Sequence, residues 1–424
     1  LTNIAPLSII YLWNEYKQDT RKDIKLSSDK LNFPKIAANG SQSVLLKLIR
    51  DQGPISRSRL RDAADQPLAA VSRSIVRLLA DRVVVEIPLG DVQGPRRKRA
   101  LQLNPKLGHC LAIHHSSDEI SGVALDTAYG IIHEKNNPLP LKTLSRDQRI
   151  AAIGSFIGRF RSEIPRAAGP CLALAVVDPG VIDEATGTVR MSTQMDDWTD
   201  VPLVHILEKK IKLPVLLLSN NVVVIRTIDR LELKNSVPNL LYIEYHSGIS
   251  CGIKLHDNYI TGRSHLAGEF GHFKVTDRPI PCRCGAVGCL EAVAALPSLA
   301  KKLRDLQDEI PGNPFPLRSL HDGLEVLTAA AQGDRLAGRV VQEAFEYLGG
   351  AVGGLVNLLA PDMVVFDHRI GRAGPDAFAI LLQAARKSML TTHIEKTEFR
   401  VSSLSKPITA LGGAVTLLDA LIEH

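Results

Sequence analysis

Between positions 41 and 104 the apolar residues recur with two different periods. Val44, Leu45, Leu48 and Ile49 return at helical spacing, and "DQGP" stops that run. Ser56 is a good N-cap for a second helix, "RSRLRDAA". After the tight turn "DQP", Leu68, Val71, Ile75, Leu78 and Leu79 share one face of a third helix, "LAAVSRSIVRLLADR". The period then shortens. "VVVEIPL", a Gly-containing turn and "RKRALQLN" predict two paired strands. Three helices followed by such a hairpin are the parts of a winged helix-turn-helix.

From about position 107 strands alternate with helices. "HCLAIHHSSDEISGVALDTAYGIIHEK" reads as a hairpin, "RDQRIAAIGSFIGRFRSEI" as an amphipathic helix, and "CLALAVVDPGVID" as a buried strand ending in a Pro-Gly turn. A helix "VPLVHILEKKI", a strand "LPVLLLSNN" and a helix "VVVIRTIDRLEL" follow. "NLLYIEYHSGISCGIKLHDNYI" predicts two further paired strands. The remainder is largely helical, interrupted by the strands "MVVFDHRIG" and "EFRVSSL" and closed by "ITALGGAVTLLDALIEH". Such alternation implies an α/β body with helices packed on sheets, and two similar lobes suit it.

Composition narrows this picture. A chain of 424 residues is too long for one ordinary core, so two or three domains are expected. Aromatic residues at 4% argue against a stacking platform for single-stranded nucleic acid. No apolar run reaches membrane-spanning length, and the start lacks a basic segment and a small-residue cleavage site. A cytoplasmic protein without membrane insertion is the expectation. Six cysteines then favour metal binding or free thiols over a disulfide framework.

Charge is unevenly placed. Positions 41–104 carry twelve Lys/Arg against six Asp/Glu, which equals the net +6 of the whole chain. A basic module on a nearly neutral body suits a polyanion, here double-stranded DNA. The third helix would enter the major groove with Ser72, Arg73, Ser74 and Arg77 toward base edges and phosphates. Ser56, Arg57 and Arg59 would hold backbone phosphates at the second helix. The wing turn would place Arg96, Arg97 and Lys98 on the backbone or in a minor groove. A small helical domain with a solvated basic face is the alternative.

One stretch carries different chemistry. "GHFKVTDRPIPCRCGAVGCLEA" holds Cys282, Cys284 and Cys289 within eight residues, and His272 stands ten residues before the first. Three thiolates and one imidazole complete a closed tetrahedral set for Zn²⁺. With no open position such an ion would be structural, pinning a loop short of core. Buried free thiols and a redox switch are the alternatives. Cys110, Cys171 and Cys251 sit in strand-like apolar settings and read as core residues.

Together these motifs resemble the ROK family (repressors, open reading frames and kinases). The carriers are "GPISRSRL…VSRSIVRLLADRVVVE", "VVDPGVID", "DDWTDVPLVHILEKKIKLPV", "AGEFGH", "CRCGAVGCLEA", "LVNLLAPDMVVF" and "LGGAV", in family order from about residue 40. The resemblance implies an N-terminal extension (1–36), a winged helix-turn-helix (37–104) and a two-lobed actin-like, sugar-kinase-like effector domain (105–424) with its zinc in the second lobe. It also implies that Glu269, His272 and Glu291 contact a sugar's hydroxyls, with Ser219 and Asn220 beside them. Carboxylates accept from hydroxyls, and an imidazole can serve the metal with one nitrogen and the ligand with the other. Glu269 and Glu291 acting only as supports of the zinc loop is the competing view.

Kinases of this family carry an Asp as general base where this chain has Asn220, and an amide accepts no proton near neutral pH. Their D-x-G-G-T phosphate loop is replaced by "HHSSD" with His114 at the Asp, and a later Gly-Gly by Asp367 and His368. "SGISCG" keeps only part of a glycine-rich turn. Lost glycines remove the close backbone approach that phosphate needs. The expectation is therefore a non-enzymatic regulator of carbohydrate metabolism, similar to the family's N-acetylglucosamine and xylose repressors. It would bind operator DNA as a homodimer or dimer of dimers and answer to a sugar or sugar-phosphate effector. An ATP-dependent sugar kinase with an appended DNA module is the runner-up, and control by a protein partner a third possibility.

Overall fold

The structure is a computed structural model that describes residues 41–88, 99–192, 195–262, 266–308, 323–404 and 408–423. The extension expected at 1–36 and the wing residues Arg96, Arg97 and Lys98 lie outside the described residues. The chain divides into two compact units. One runs to Leu218 and takes back Thr416–His424, and the other is Ser219–Val415.

The first unit opens with helices α1 (Ser41–Gln52), α2 (Arg57–Ala63) and α3 (Leu68–Ala80). Strands β1 (Ile55–Ser56), β2 (Val84–Pro88) and β3 (Arg99–Leu103) form one sheet in the order β1-β3-β2. The two-residue β1 was not legible in the sequence; it pairs Ile55 with Leu101 and Ser56 with Ala100. Ser56 then caps α2, its Oγ accepting from the Arg59 N–H at 3.3 Å. Leu45, Leu46, Ile49, Leu60, Ile75 and Leu101 supply much of the small core. Val44 and Leu68, expected on buried faces, are exposed; Leu46 lies inside instead. The rotation follows from α1 packing on both α3 and β3, which broadens its buried stripe by one residue.

An α/β layer follows in the same unit. The predicted hairpin after His109 is three strands: β4 (His109–His115), β5 (Glu119–Asp126) and β6 (Ile131–Pro138). Helix α4 (Arg146–Glu163) starts in a capping box made by Ser145 and Gln148. Strand β7 (Cys171–Asp178) runs parallel to β4. A small hairpin, β8 (Val181–Asp183) and β9 (Thr188–Met191), precedes helix α5 (Leu203–Ile211) and strand β10 (Val215–Ser219). The five-stranded order is β10-β7-β4-β5-β6. Ile153, Phe156, Ile157 and Phe160 of α4 bury against Leu111, Ile113 and Leu174 of the sheet.

The second unit starts with helix α6 (Asn220–Thr227) and a five-stranded sheet of β11 (Leu240–Tyr245), β12 (Ile249–Leu255), β13 (Asn258–Tyr259), β14 (Met363–Phe366) and β15 (Glu398–Val401). Its order is β13-β12-β11-β14-β15, with β11, β14 and β15 parallel. Helices α7 (Leu290–Ala294), α8 (Leu296–Asp308), α9 (Leu324–Ala331), α10 (Arg335–Leu359), α11 (Gly374–Ser388) and α12 (Thr391–Ile394) cover it. Asp334 caps α10 by accepting from the Leu336 and Ala337 N–H groups. A Cβ at Gly349 or Gly353 would meet the Leu381 or Ala385 carbonyl at 2.2 or 2.4 Å, so glycine lets α10 and α11 approach closely. The last helix is α13 (Ile408–Glu423). No helix among the described residues is long and apolar enough to cross a membrane.

One buried polar cluster sits in the first unit. Asp178 ends β7 with no solvent exposure, and its Oδ2 accepts from Trp198 Nε1 at 2.9 Å. His115 Nε2 lies 3.1 Å from the same oxygen, and the Gly180 N–H donates to Oδ1 at 2.7 Å. Burial alone would raise this carboxyl; His115, Trp198 and Gly180 outweigh it and hold it below the usual carboxylate range. Asp178→Ala would leave two interior donors unpaired and is expected to cost about 3–5 kcal/mol. Because the folded pKa is depressed, this stabilisation is complete above the unfolded carboxylate value of about 3.9 and fades as pH falls through the lower folded value. Urea unfolding of wild type and variant from pH 7 to pH 3 measures both: the gap should be several kcal/mol at pH 7 and shrink toward pH 3.

Candidate metal centre and nucleic-acid interface

Residues 272–289 form neither a long helix nor a sheet. Short backbone links set the loop: Val275 N–H to the Gly288 carbonyl, Gly288 N–H to Ile280, and Cys282 N–H to Ala286, at 2.8, 2.9 and 2.8 Å. At Gly288 the φ of +75° and a Thr276 carbonyl 2.0 Å from any Cβ restrict the position to glycine. This turn brings Cys289 back beside Cys284, and a 3₁₀ turn at Phe270–His272 delivers the imidazole.

One ligand atom from each of His272, Cys282, Cys284 and Cys289 lies within 4.8 Å of the others. Cys284 and Cys289 Sγ are 3.8 Å apart, and Cys282 Sγ is 3.7 Å from His272 Nδ1. A tetrahedral ion with ~2.3 Å bonds to sulfur has edges of ~3.8 Å, so these spacings fit Zn²⁺ and exceed any disulfide. The donor set predicted from spacing is thus assembled in space. The other three cysteines are free; Cys110 and Cys251 are buried, and burial raises the Cys110, Cys171 and Cys251 thiols, Cys171 to about 11 and Cys251 to about 12.

Glu269 and Glu291 flank this centre, and both are spoken for. His272 Nε2 lies 3.8 Å from Glu269 Oε2, so the ring turns one nitrogen to the thiols and the other to the carboxylate. Glu291, buried in the first turn of α7, accepts from Arg283 Nε at 2.8 Å and from the Ile249 N–H at 3.4 Å. Arg283 Nη2 also donates to the Ser247 carbonyl. Sequence reasoning missed Arg283; its place between two ligand cysteines was the available signal.

Ser219 is buried at the end of β10 and makes no side-chain cap to α6. Asn220 donates from Nδ2 to Glu244 Oε2 at 3.4 Å, and Ser250 donates to the same oxygen at 2.9 Å. Burial raises the Glu244 carboxyl above its usual range against that Ser250 hydrogen bond. A second buried carboxylate, Asp367, accepts from Tyr242 Oη at 3.0 Å and from Arg369 through both backbone and guanidinium at 2.8 Å. Glu244 and Asp367 are thus each already engaged by neighbouring side chains. A charge inside an apolar strand run, as in "LLYIEY", was the sign available for Glu244.

In the basic module α3 presents Ser72, Arg73 and Arg77 outward. Ser74 does not belong with them. It is 9% exposed because positions 71, 74, 75 and 78 lie on one helical face, the face that meets the core. Arg57, itself exposed, pairs with Glu86 of β2 at 2.6 Å, and Arg99 meets the same carboxylate at 3.0 Å, tying α2 to the β2–β3 pair. These two arginines and loss of solvent set Glu86; the Arg57 hydrogen bond is the largest influence and lowers its carboxyl. Ser56 spends its hydroxyl on the α2 cap, while Arg59 is exposed.

The ROK family profile matches residues 110–420, and the chain belongs to that family. It is similar to the xylose repressor of Caldicellulosiruptor bescii, 26% identical over 395 residues that span 90% of this chain and 96% of the relative. A crystal structure of a ROK family transcriptional regulator, a homolog of the Escherichia coli MLC protein, superposes with a TM-score of 0.75 at 22% identity, covering 90% of this chain and 96% of that one. The ROK hexokinase of Thermus thermophilus gives 0.59 at 24% identity over 74% of this chain and 99% of its own. The two-lobed sugar-kinase-like α/β fold expected from the sequence is thus found.

The donor geometry makes a direct forecast. Reduced, metal-free protein titrated with Co²⁺ should take up one equivalent per chain with tetrahedral visible bands and thiolate charge-transfer absorption, both erased by Zn²⁺. Cys284→Ser should weaken uptake by tenfold or more, on the order of the loss of one thiolate ligand. Octahedral spectra, or no uptake, would show that the cluster does not hold a metal.

Proposed function

We propose that this chain is a DNA-binding transcriptional regulator of carbohydrate metabolism, acting as a repressor and controlled by a small sugar or sugar phosphate. The observation that carries this reading is coverage. The xylose repressor and the regulator structure match about nine-tenths of this chain, whereas the hexokinase, matched over 99% of its own length, covers only 74% of it. In this reading Arg59, Ser72, Arg73 and Arg77 face operator DNA, with Arg96, Arg97 and Lys98 at the wing. A homodimer or dimer of dimers on a palindrome provides two half-sites.

The metal is a structural zinc held by His272, Cys282, Cys284 and Cys289, and it fixes the loop that carries Glu269 and Glu291. These two carboxylates, His272, Ser219 and Asn220 contact the effector's hydroxyls. Phosphoryl transfer is not part of the proposal. Asn220 cannot serve as the base, and its amide is bonded to Glu244. Cytoplasmic location follows from the proposed role. Control by a protein partner is not favoured by any particular residue.

Ligand and operator are coupled through two states of the protein, so each must weaken the other by the same factor, about 5–150-fold. A thermal-shift screen of sugars and sugar phosphates on zinc-loaded protein identifies the ligand. Operator affinity by fluorescence anisotropy with and without that ligand, and ligand affinity with and without operator, then measure the coupling. Arg73→Ala should cost about 1–3 kcal/mol of operator binding. Equal ligand affinity in free and operator-saturated protein would refute the coupling, and ATP-dependent phosphorylation of a hexose would replace the whole reading with that of a kinase.

A further inference from the structure

The outward face of α3 holds more than its arginines. Val76, in the middle of the helix, is 62% exposed, and Leu68 in the first turn is 63% exposed. Leu68, Ser72 and Val76 follow each other at four-residue spacing and so form one row along the helix. Ala69, Arg73 and Arg77 form the adjacent row. The core does not use the first row: Val71, Ile75 and Leu78 fill it from the neighbouring face, with the arginine row on the far side. A basic row and an apolar row thus lie side by side on a surface whose surroundings carry twelve Lys/Arg against six Asp/Glu over positions 41–104.

Single exposed apolar side chains are ordinary on a surface; what singles out Leu68 and Val76 is their place in the row beside the arginines, on the face that a partner of this helix would meet. The partner must be anionic, to match the arginines, and must also offer small apolar groups at the spacing of a helical row. A DNA major groove has both. Its only apolar group is the thymine 5-methyl, which aliphatic side chains contact directly. Recognition helices touch bases first with their N-terminal residues, where Leu68 and Ser72 stand, and Val76 continues the same row one turn further along.

Resting on the regulator reading above, we infer that Val76 is a specificity-determining residue that selects a thymine in each operator half-site by packing on its 5-methyl group. Leu68 extends the same row. Arg73 beside it supplies the hydrogen bonds to a purine edge or phosphate. Arg77 contributes less, because it is shared with Asp81 at 3.8 Å.

The test uses the full chain. Duplexes selected from a random library define the preferred site. Each thymine is then replaced singly by deoxyuracil, which removes the methyl and keeps every hydrogen-bonding group. One position per half-site should lose affinity about four-fold, the worth of one buried methyl. Val76→Ala should abolish that thymine–uracil difference while Arg73→Ala keeps it on a weaker background. Circular dichroism and sedimentation show whether each variant is folded and equally assembled. Tight binding with no uracil-sensitive position overturns the inference. So does a Val76→Ala variant that keeps the uracil sensitivity, or that changes assembly instead, which would assign the row to a contact between copies. Failure to select any duplex would sink the regulator reading itself, a different outcome from binding without thymine preference.

Discussion

The loop between His272 and Cys289 has almost no hydrophobic interior, so burial cannot hold its shape. Four ligand atoms within 4.8 Å of one another can. Their placement decides where the flanking groups go. Gly288 folds the chain back, Cys289 stands immediately before α7, and Glu291 enters its first turn. On the other flank the 3₁₀ turn aims one His272 nitrogen at the thiols and the other at Glu269. A metal in this set would lock both carboxylates without touching what they read. Losing one ligand would therefore loosen the metal and the candidate reading surface together.

Buried charge follows a common rule in both units. Asp178 is surrounded by His115, Trp198 and a backbone N–H. Glu244 is met by Ser250 and Asn220, and Asp367 by Tyr242 and Arg369. None of these carboxylates is left without a donor, as interior acids require.

The legible features of this chain were local. Ser56 sets the start of α2 from a few neighbouring residues, and the Cys/His spacing needed only one loop to close. Ser74 shows how polarity can mislead even at short range. Its spacing from Val71, Ile75 and Leu78 places it inside, but its hydroxyl suggests the wet face; the spacing won because packing fixes the rotation of the whole helix. Arg57 could not be assigned from sequence, since Glu86 is 29 residues away and reaches it only after the wing has folded. Asp178 with His115 and Trp198 is the same case across three elements.

Arg283 changes the character of the candidate reading surface. A lone Glu291 would be a strong, unselective acceptor. Bonded to Arg283 Nε and the Ile249 N–H, it keeps spare lone pairs but less net charge, while the half-exposed guanidinium adds donors beside it. A vicinal hydroxyl pair, which donates and accepts from adjacent oxygens, matches such an edge better than a cation does. An anionic group on the ligand would gain from the arginine where a bare carboxylate would repel it. If this edge contacts the effector, as proposed, its paired acid and guanidinium would suit a neutral sugar and a sugar phosphate alike, leaving the choice to the residues around it.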